Sequence, residues 1–128
     1  MAESIVFISR FRLRAGAADV VASAFDRVVK LIEETKPRTA GFSAYVDDAR
    51  LQLSVVHVFP DAEAMSSHFI GSDQRTGSIA DLAEPAGFEV FGPAPASAVD
   101  QLRREASQAG VELSVFPRSL GGFLRGPA

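Results

Sequence analysis

Two segments of this chain carry apolar side chains on both faces, where a sheet covered on one side would carry them on one. Residues 4–13 alternate as a strand, with Ile5, Phe7, Ser9, Phe11 and Leu13 on one face and Val6, Ile8, Arg10 and Arg12 on the other. Residues 51–59 repeat the device: Leu51, Leu53, Val55, His57 and Phe59 alternate with Gln52, Ser54, Val56 and Val58. A sheet with helices on one side normally pairs an apolar covered face with a polar wet one. Here Val6 and Ile8 oppose Ile5 and Phe7, and Val56 and Val58 oppose Val55 and Phe59. Burying those four aliphatic side chains contributes roughly 6–12 kcal/mol, at about 1.5–3 kcal/mol each. Left in water they form the kind of patch that marks an interface. Two arrangements supply cover: a second copy packed sheet to sheet about a two-fold axis, or a later helix of the same chain folded across the face. The first is the expectation taken forward.

The remaining elements fall into a familiar order. Ala15-Gly16 ends the first strand, and a helix is predicted over 17–36, stopped by Pro37. Its polar residues, Asp19, Ser23, Asp26, Arg27, Lys30, Glu33 and Glu34, occupy a wedge of about 120°. The apolar arc of about 200° is wider than one sheet face needs, so this helix is expected to meet a second surface. Strands at 42–46 and 51–59 flank a turn at Asp47-Asp48, and Asp61 is placed to cap a helix carrying Ala64, Met65, His68 and Phe69 on one stripe. A second helical stretch is predicted over 73–84, then a turn at Pro85 and Gly87 and a fourth strand over 88–91. The order βαββαβ with short connections predicts an α+β fold: a ferredoxin-like antiparallel sheet in the order 4-1-3-2, both helices on one face. Beyond Gly92-Pro93-Ala94-Pro95, Ser97 with Asp100 reads as a capping box for a third helix carrying Val99, Leu102 and Ala106. Gly110 ends it, and 111–116 reads as a fifth strand. The chain is thus one domain over 1–128, a core at 3–92 with a helix–strand extension at 93–128. The last residues, with Phe116, Leu120, Phe123 and Leu124, are too apolar for a free tail, so the arm is expected to dock over its own helices or across a partner.

Composition narrows the function classes. Thirteen basic against sixteen acidic residues, net −3, disfavours a nucleic-acid partner, which needs a dense basic surface. No cysteine is present, which removes disulfides, thiolate nucleophiles and every Cys-containing zinc site. No apolar run approaches the ~20 residues of a membrane span. Glu3 and only four consecutive apolar residues at 5–8 do not make a signal peptide, so a cytoplasmic location is the expectation.

A resemblance enters at Phe59-Pro60-Asp61-Ala62-Glu63-Ala64-Met65-Ser66-Ser67-His68. This run resembles the element after the third strand in antibiotic biosynthesis monooxygenase-like proteins of the dimeric α+β barrel superfamily, whose pattern is an aromatic, then Asp, Ala and His. Asp61, Ala64 and His68 match, and Gly41-Phe42 resembles that family's glycine-led second strand. The likeness covers about 3–91. Phe59 stands where the family has a Trp, and Met65 where a Tyr is common. The haem-degrading branch needs Asn, His and Trp together, and only the His is matched, at His68. The quinone-forming branch uses Tyr, Trp and Arg, of which the first two are missing. The resemblance implies a dimeric α+β barrel with a ligand-sized cavity between sheet and helices.

His68 is the candidate catalytic residue, a general base on the cavity wall; its alternative is a core histidine bonded to a backbone carbonyl. His57, Phe59, Arg10, Ser9 and Met65 are the candidate ligand contacts. His57 in an apolar row also reads as structural. Arg10, Arg12 and Arg14 recur at spacing two and read either as a carboxylate or phosphate trap or as solvated charge where the strand leaves the core. Tyr45 shares a face with Ser43 and Asp47, a wetter side. No HxD or HxxxH spacing supports a metal site. No GxSxG, SxxK or GxGxxG motif is present, and the glycine spacing over 71–78 is wrong for a phosphate loop, so flavin, nicotinamide and nucleotide cofactors have no support. Two functions follow: a cofactor-independent oxygenase, isomerase or cyclase acting on an apolar, enolisable or phenolic small molecule, or a non-catalytic ligand-binding or assembly barrel. A cavity of about 300 Å³ or more beneath His68 favours the first. A closed, packed space with His68 bonded to backbone favours the second.

Overall fold

The alternation of residues 5–13 is realised as β1 (Ile5–Leu13), the central strand of a five-stranded sheet. A computed structural model describes residues 3–71 and 81–125 of the chain. Around β1 stand β2 (Gly41–Val46), β3 (Gln52–Phe59), β4 (Ala83–Phe91) and β5 (Leu113–Phe116), in the order β2-β3-β1-β4-β5. The first four pair antiparallel in the predicted order, and β5 adds parallel to β4 at the edge. Residues opposite one another share a face, so register defines two surfaces. Ile5 meets Phe59 and Phe7 meets His57 on one; Val6 meets Val58 and Ile8 meets Val56 on the other.

All three described helices lie on the first face. Those helices are α1 (Ala18–Thr35), α2 (Ala62–Phe69) and α3 (Ala96–Ala109). Val21 of α1 packs with Leu13, Leu53 and Val55, while Met65 of α2 and Leu102 of α3 pack with Ile5, Phe7, Phe59 and Val90. The third helix therefore does not cross to the Val6–Val58 face. That face keeps Val6, Ile8, Val56 and Val58 half-buried, with Phe91 and Phe116 stacked at 5.1 Å along its β4–β5 margin. Its other half is polar, with Arg10 ion-paired to Glu89. The wide apolar arc of α1 is only partly used within the chain: Val20 and Leu31 stay exposed.

Three boundaries differ from the sequence reading. The fourth strand begins at Ala83, not residue 88, so the end of the predicted helix over 73–84 is turn and strand; its residues 73–80 lie outside the described residues. Pro85 and Gly87 sit inside β4, where Gly87 pairs Arg10 and Pro85 pairs Phe11, leaving Ala86 as the extra residue of a bulge. β5 pairs only Phe88–Phe91, so the missing N–H of Pro85 meets no neighbour on that edge. The expected Ser97–Asp100 capping box does not form. Pro95 holds the N-cap position in extended backbone without a side-chain bond, and starting at Ala96 aims Ala98, Leu102 and Ala106 at the sheet. Gly110 ends α3 in the left-handed conformation, and Val111 N–H reaches back to Ala106 O at 2.9 Å. The arm over 117–125 does not dock on its own helices: Leu120 is 105% and Phe123 82% exposed.

Candidate functional site

The core is not continuous. One cluster gathers under α2 and α3 around Ile5, Phe59 and Val90, the other under α1 around Leu13, Leu53 and Val55. Between them lies a cavity of about 120 Å³ walled by Phe rings, among them Phe7, Phe25, Phe42 and Phe88. Strand parity puts Phe7 and Ser9 of β1, His57 of β3 and Phe42 of β2 on this surface, while the helical stripe of α2 turns His68 down onto it. Among the described residues Ser9, His57 and His68 are the buried polar side chains, and all three line this cavity. Burying polar groups in an apolar core is costly unless they are bonded or used, so their convergence makes this cavity the candidate site.

The two imidazoles are held differently. His57 Nδ1 lies 3.0 Å from Phe7 O; a carbonyl only accepts, so Nδ1 carries the proton. Its ring stacks on Phe7 at 4.7 Å. His68, 3% exposed, places Nδ1 2.8 Å from Thr39 Oγ1, a hydroxyl rather than a backbone carbonyl. The two rings meet edge to face at 5.1 Å. Ser9 Oγ has no hydrogen-bond partner among the described residues, and it lines the same space.

The connection between α1 and β2 fixes where His68 stands. Lys36 Nζ donates to Ser67 O at 2.8 Å near the C-terminal end of α2, where a cation suits the helix dipole. Arg38 pairs with Asp61 at the other end and approaches Glu63 at 3.6 Å. Asp61 caps α2 as predicted, accepting from Ala64 N at 2.9 Å. That amide, followed by the Arg38 guanidinium, holds the Asp61 carboxyl below its ordinary pKa.

The structure brings Ser9, His57 and His68 together and separates the other sequence candidates. Phe59 and Met65 are fully buried in the packed cluster beneath, and Phe59 meets the site as a ring 5.1 Å from His68 and stacked 6.1 Å from His57. Arg10 lies on the opposite face of the sheet, as strand parity requires, so it has no place at this cavity. Arg12 shares that face, 3.7 Å from Glu84. Tyr45 is exposed, within 3.3 Å of Ser43 Oγ, as its wetter side predicted. Sequence reasoning missed Thr39, and it missed Gln101 and Glu105, which flank Leu102 in the wall supplied by α3. The signal for that pair was their i, i+4 spacing around an apolar stripe position. Among the described residues no three metal-ligating side chains converge, and no helix is long and apolar enough to cross a membrane.

Structural comparison finds this architecture in other proteins. No family model matches the chain, and no curated protein matches it by sequence. Solved structures do. MupZ from Pseudomonas fluorescens is 16% identical over 96% of this chain and 95% of its own, with a TM-score of 0.68. SnoaB from Streptomyces nogalater, described as a cofactor-independent oxygenase, is 18% identical over 70% of this chain and 92% of its own, TM-score 0.60. A protein from Bacteroides thetaiotaomicron named as a candidate antibiotic biosynthesis monooxygenase is 13% identical over 73% and 90%, TM-score 0.57. The chain has the ferredoxin-like α+β fold of the antibiotic biosynthesis monooxygenase-like proteins. At 96% of this chain, the match to MupZ takes in most of the helix–strand extension.

Proposed function

We propose that this protein is a cofactor-independent monooxygenase-like enzyme acting on an apolar, enolisable or phenolic small molecule, with His68 as its general base. The observation that carries the reading is the convergence of the buried polar side chains on one aromatic-walled cavity, with both imidazoles in the wall. A ring bound among the Phe side chains loses its water, and Ser9 Oγ and His57 give its polar end two hydrogen-bonding groups. His68 then takes a proton from the hydroxyl or the acidic carbon. The resulting anion is electron-rich enough to react with dioxygen. For a two-ring phenol such as 1-naphthol, one dioxygen adds an oxygen at the ring carbon opposite the hydroxyl; the peroxide loses water and leaves the 1,4-quinone. The imidazolium protonates the outer peroxide oxygen, His68 then takes the hydrogen from that same ring carbon as the O–O bond breaks, and this second proton joins the departing hydroxide as water. Atoms balance with dioxygen as the only co-reactant. SnoaB's description as a cofactor-independent oxygenase on the same fold supports this chemistry. The half-buried Val6–Val58 face, with no described helix on it, supports a homodimer packed sheet to sheet.

A second reading, a non-catalytic ligand-binding barrel, draws on the cavity's size. At about 120 Å³ it is smaller than the ~300 Å³ at which drug-sized sites begin. Oxygen uptake with 1-naphthol separates the two. Turnover in the wild type that falls roughly 100-fold or more in His68→Ala, with the fold intact by circular dichroism, is the expected result. Binding of 1-naphthol without oxygen uptake in the wild type supports the second reading instead.

A further inference from the structure

We infer that Thr39 is a positioning residue that fixes the tautomer of His68, accepting a hydrogen bond from Nδ1–H so that Nε2 is the ring's basic atom. The inference rests on His68 being the base, but its geometry stands apart from any activity. Thr39 Oγ1 is 2.8 Å from His68 Nδ1. Among the described residues that hydroxyl has no other partner.

The oxygen is held from several directions. Thr39 N–H donates to Lys36 O at 3.0 Å, and the next residue, Ala40, donates to Val58 O at 2.9 Å, so the backbone beneath the side chain is tied to β3. Threonine is branched at Cβ and keeps few χ1 rotamers. Lys36 and Arg38, on the same connection, grip the two ends of α2. One short segment thus sets the helix that carries His68 and supplies the atom its ring meets.

The polarity of the bond follows from what a base must survive. A threonine hydroxyl can donate or accept. Were it to donate to Nδ1, the neutral ring would carry its proton on Nε2, and that bond would break once the ring became doubly protonated. With Thr39 accepting, the same bond serves both the neutral and the charged ring, and it strengthens as positive charge develops. His57 is the internal reference, since the Phe7 carbonyl already fixes its proton on Nδ1.

Nitrogen-15 NMR of the side chains tests this directly, because the chain has only two histidines. In the wild type the His68 shifts should report a protonated Nδ1 and an unprotonated Nε2. Thr39→Val should move His68 away from the Nδ1–H form and toward Nε2–H, and leave His57 unchanged. Thr39→Ser should restore the wild-type pattern. If 1-naphthol is turned over, Thr39→Val should lower kcat roughly 10- to 100-fold with KM little changed, and Thr39→Ser should recover it. A wild-type His68 protonated on Nε2, or a Thr39→Val spectrum identical to wild type, overturns the inference. Loss of the catalytic reading would show differently: a His68 tautomer that follows Thr39 while His68→Ala turns over normally leaves the positioning intact and removes the base.

Discussion

Phe7 and Ile8 are consecutive residues of β1, yet one lies beneath helices and the other beneath none of those described. The face that begins with Phe7 holds the interrupted core, the aromatic cavity and both imidazoles. The face that begins with Ile8 has an aliphatic half around Val6, Val56 and Val58 and a charged half around Arg10 and Glu89. Their apolar residues do not distinguish them, since both carry branched and aromatic side chains. They differ in what polar groups they bury. The inner face sequesters Ser9, His57 and His68 and arranges them around a space; the outer face leaves its charges paired and wet. The same strands thus present a cavity with buried polar groups on one side and a half-buried aliphatic patch on the other.

The comparison breaks most readily from the outside. Val58→Asp puts a carboxylate amid Val6 and Gly41 on the outer face. If two copies meet there, an unpaired charge costs about 3–5 kcal/mol, more than about 100-fold in the dimer Kd. Sedimentation equilibrium should show the variant as a folded monomer; an undisturbed dimer would move the seam elsewhere. From the inside, Leu102→Ala should lower the free energy of unfolding by about 2–5 kcal/mol in a urea titration, because Leu102 is fully buried and joins α3 to the main cluster. A loss under about 1 kcal/mol would show the extension to be an ornament rather than a wall. The smallest effect is in the pH profile. Asp61 and Asp47 both have folded pKa values held below the ordinary 3.8, Asp61 chiefly by the Ala64 amide and Asp47 chiefly by the Gln52 amide. Their contribution is therefore present above that value and is lost as pH falls through the folded pKa. Combining Asp61→Asn with Asp47→Asn should remove that contribution at neutral pH, lower stability slightly there, and leave stability below the folded pKa values nearly unchanged, so that the acid limb of the stability profile flattens.

Much of the fold was legible because period two in β1 and β3 is unambiguous, and because Asp61, Gly110 and Pro37 punctuate helices in ways with a local physical cause. The miss at β4 has a cause of its own. Pro85 and Gly87 look like a turn when read singly, but a bulge opposite Arg10–Phe11 and an unpaired edge let both remain in a strand. The site was readable in part. His68, His57 and Ser9 were visible as polar interruptions of apolar rows. Arg10 was misplaced although its parity already put it with Val6 and Ile8, so the residue type outweighed the geometry. Phe59 and Met65 followed the stripe but stopped in the packing. Thr39 was invisible, since a lone threonine after Pro37 and Arg38 carries no periodic signal; only the closing of the α1–β2 connection onto α2 brings it to His68.

The claim on which both faces depend is that the outer one belongs to a second copy. Sedimentation velocity of the wild type at micromolar concentration addresses it without any substrate. A single species at twice 13.6 kDa is the predicted result; a single species at 13.6 kDa, with the valine face left to water, would contradict it.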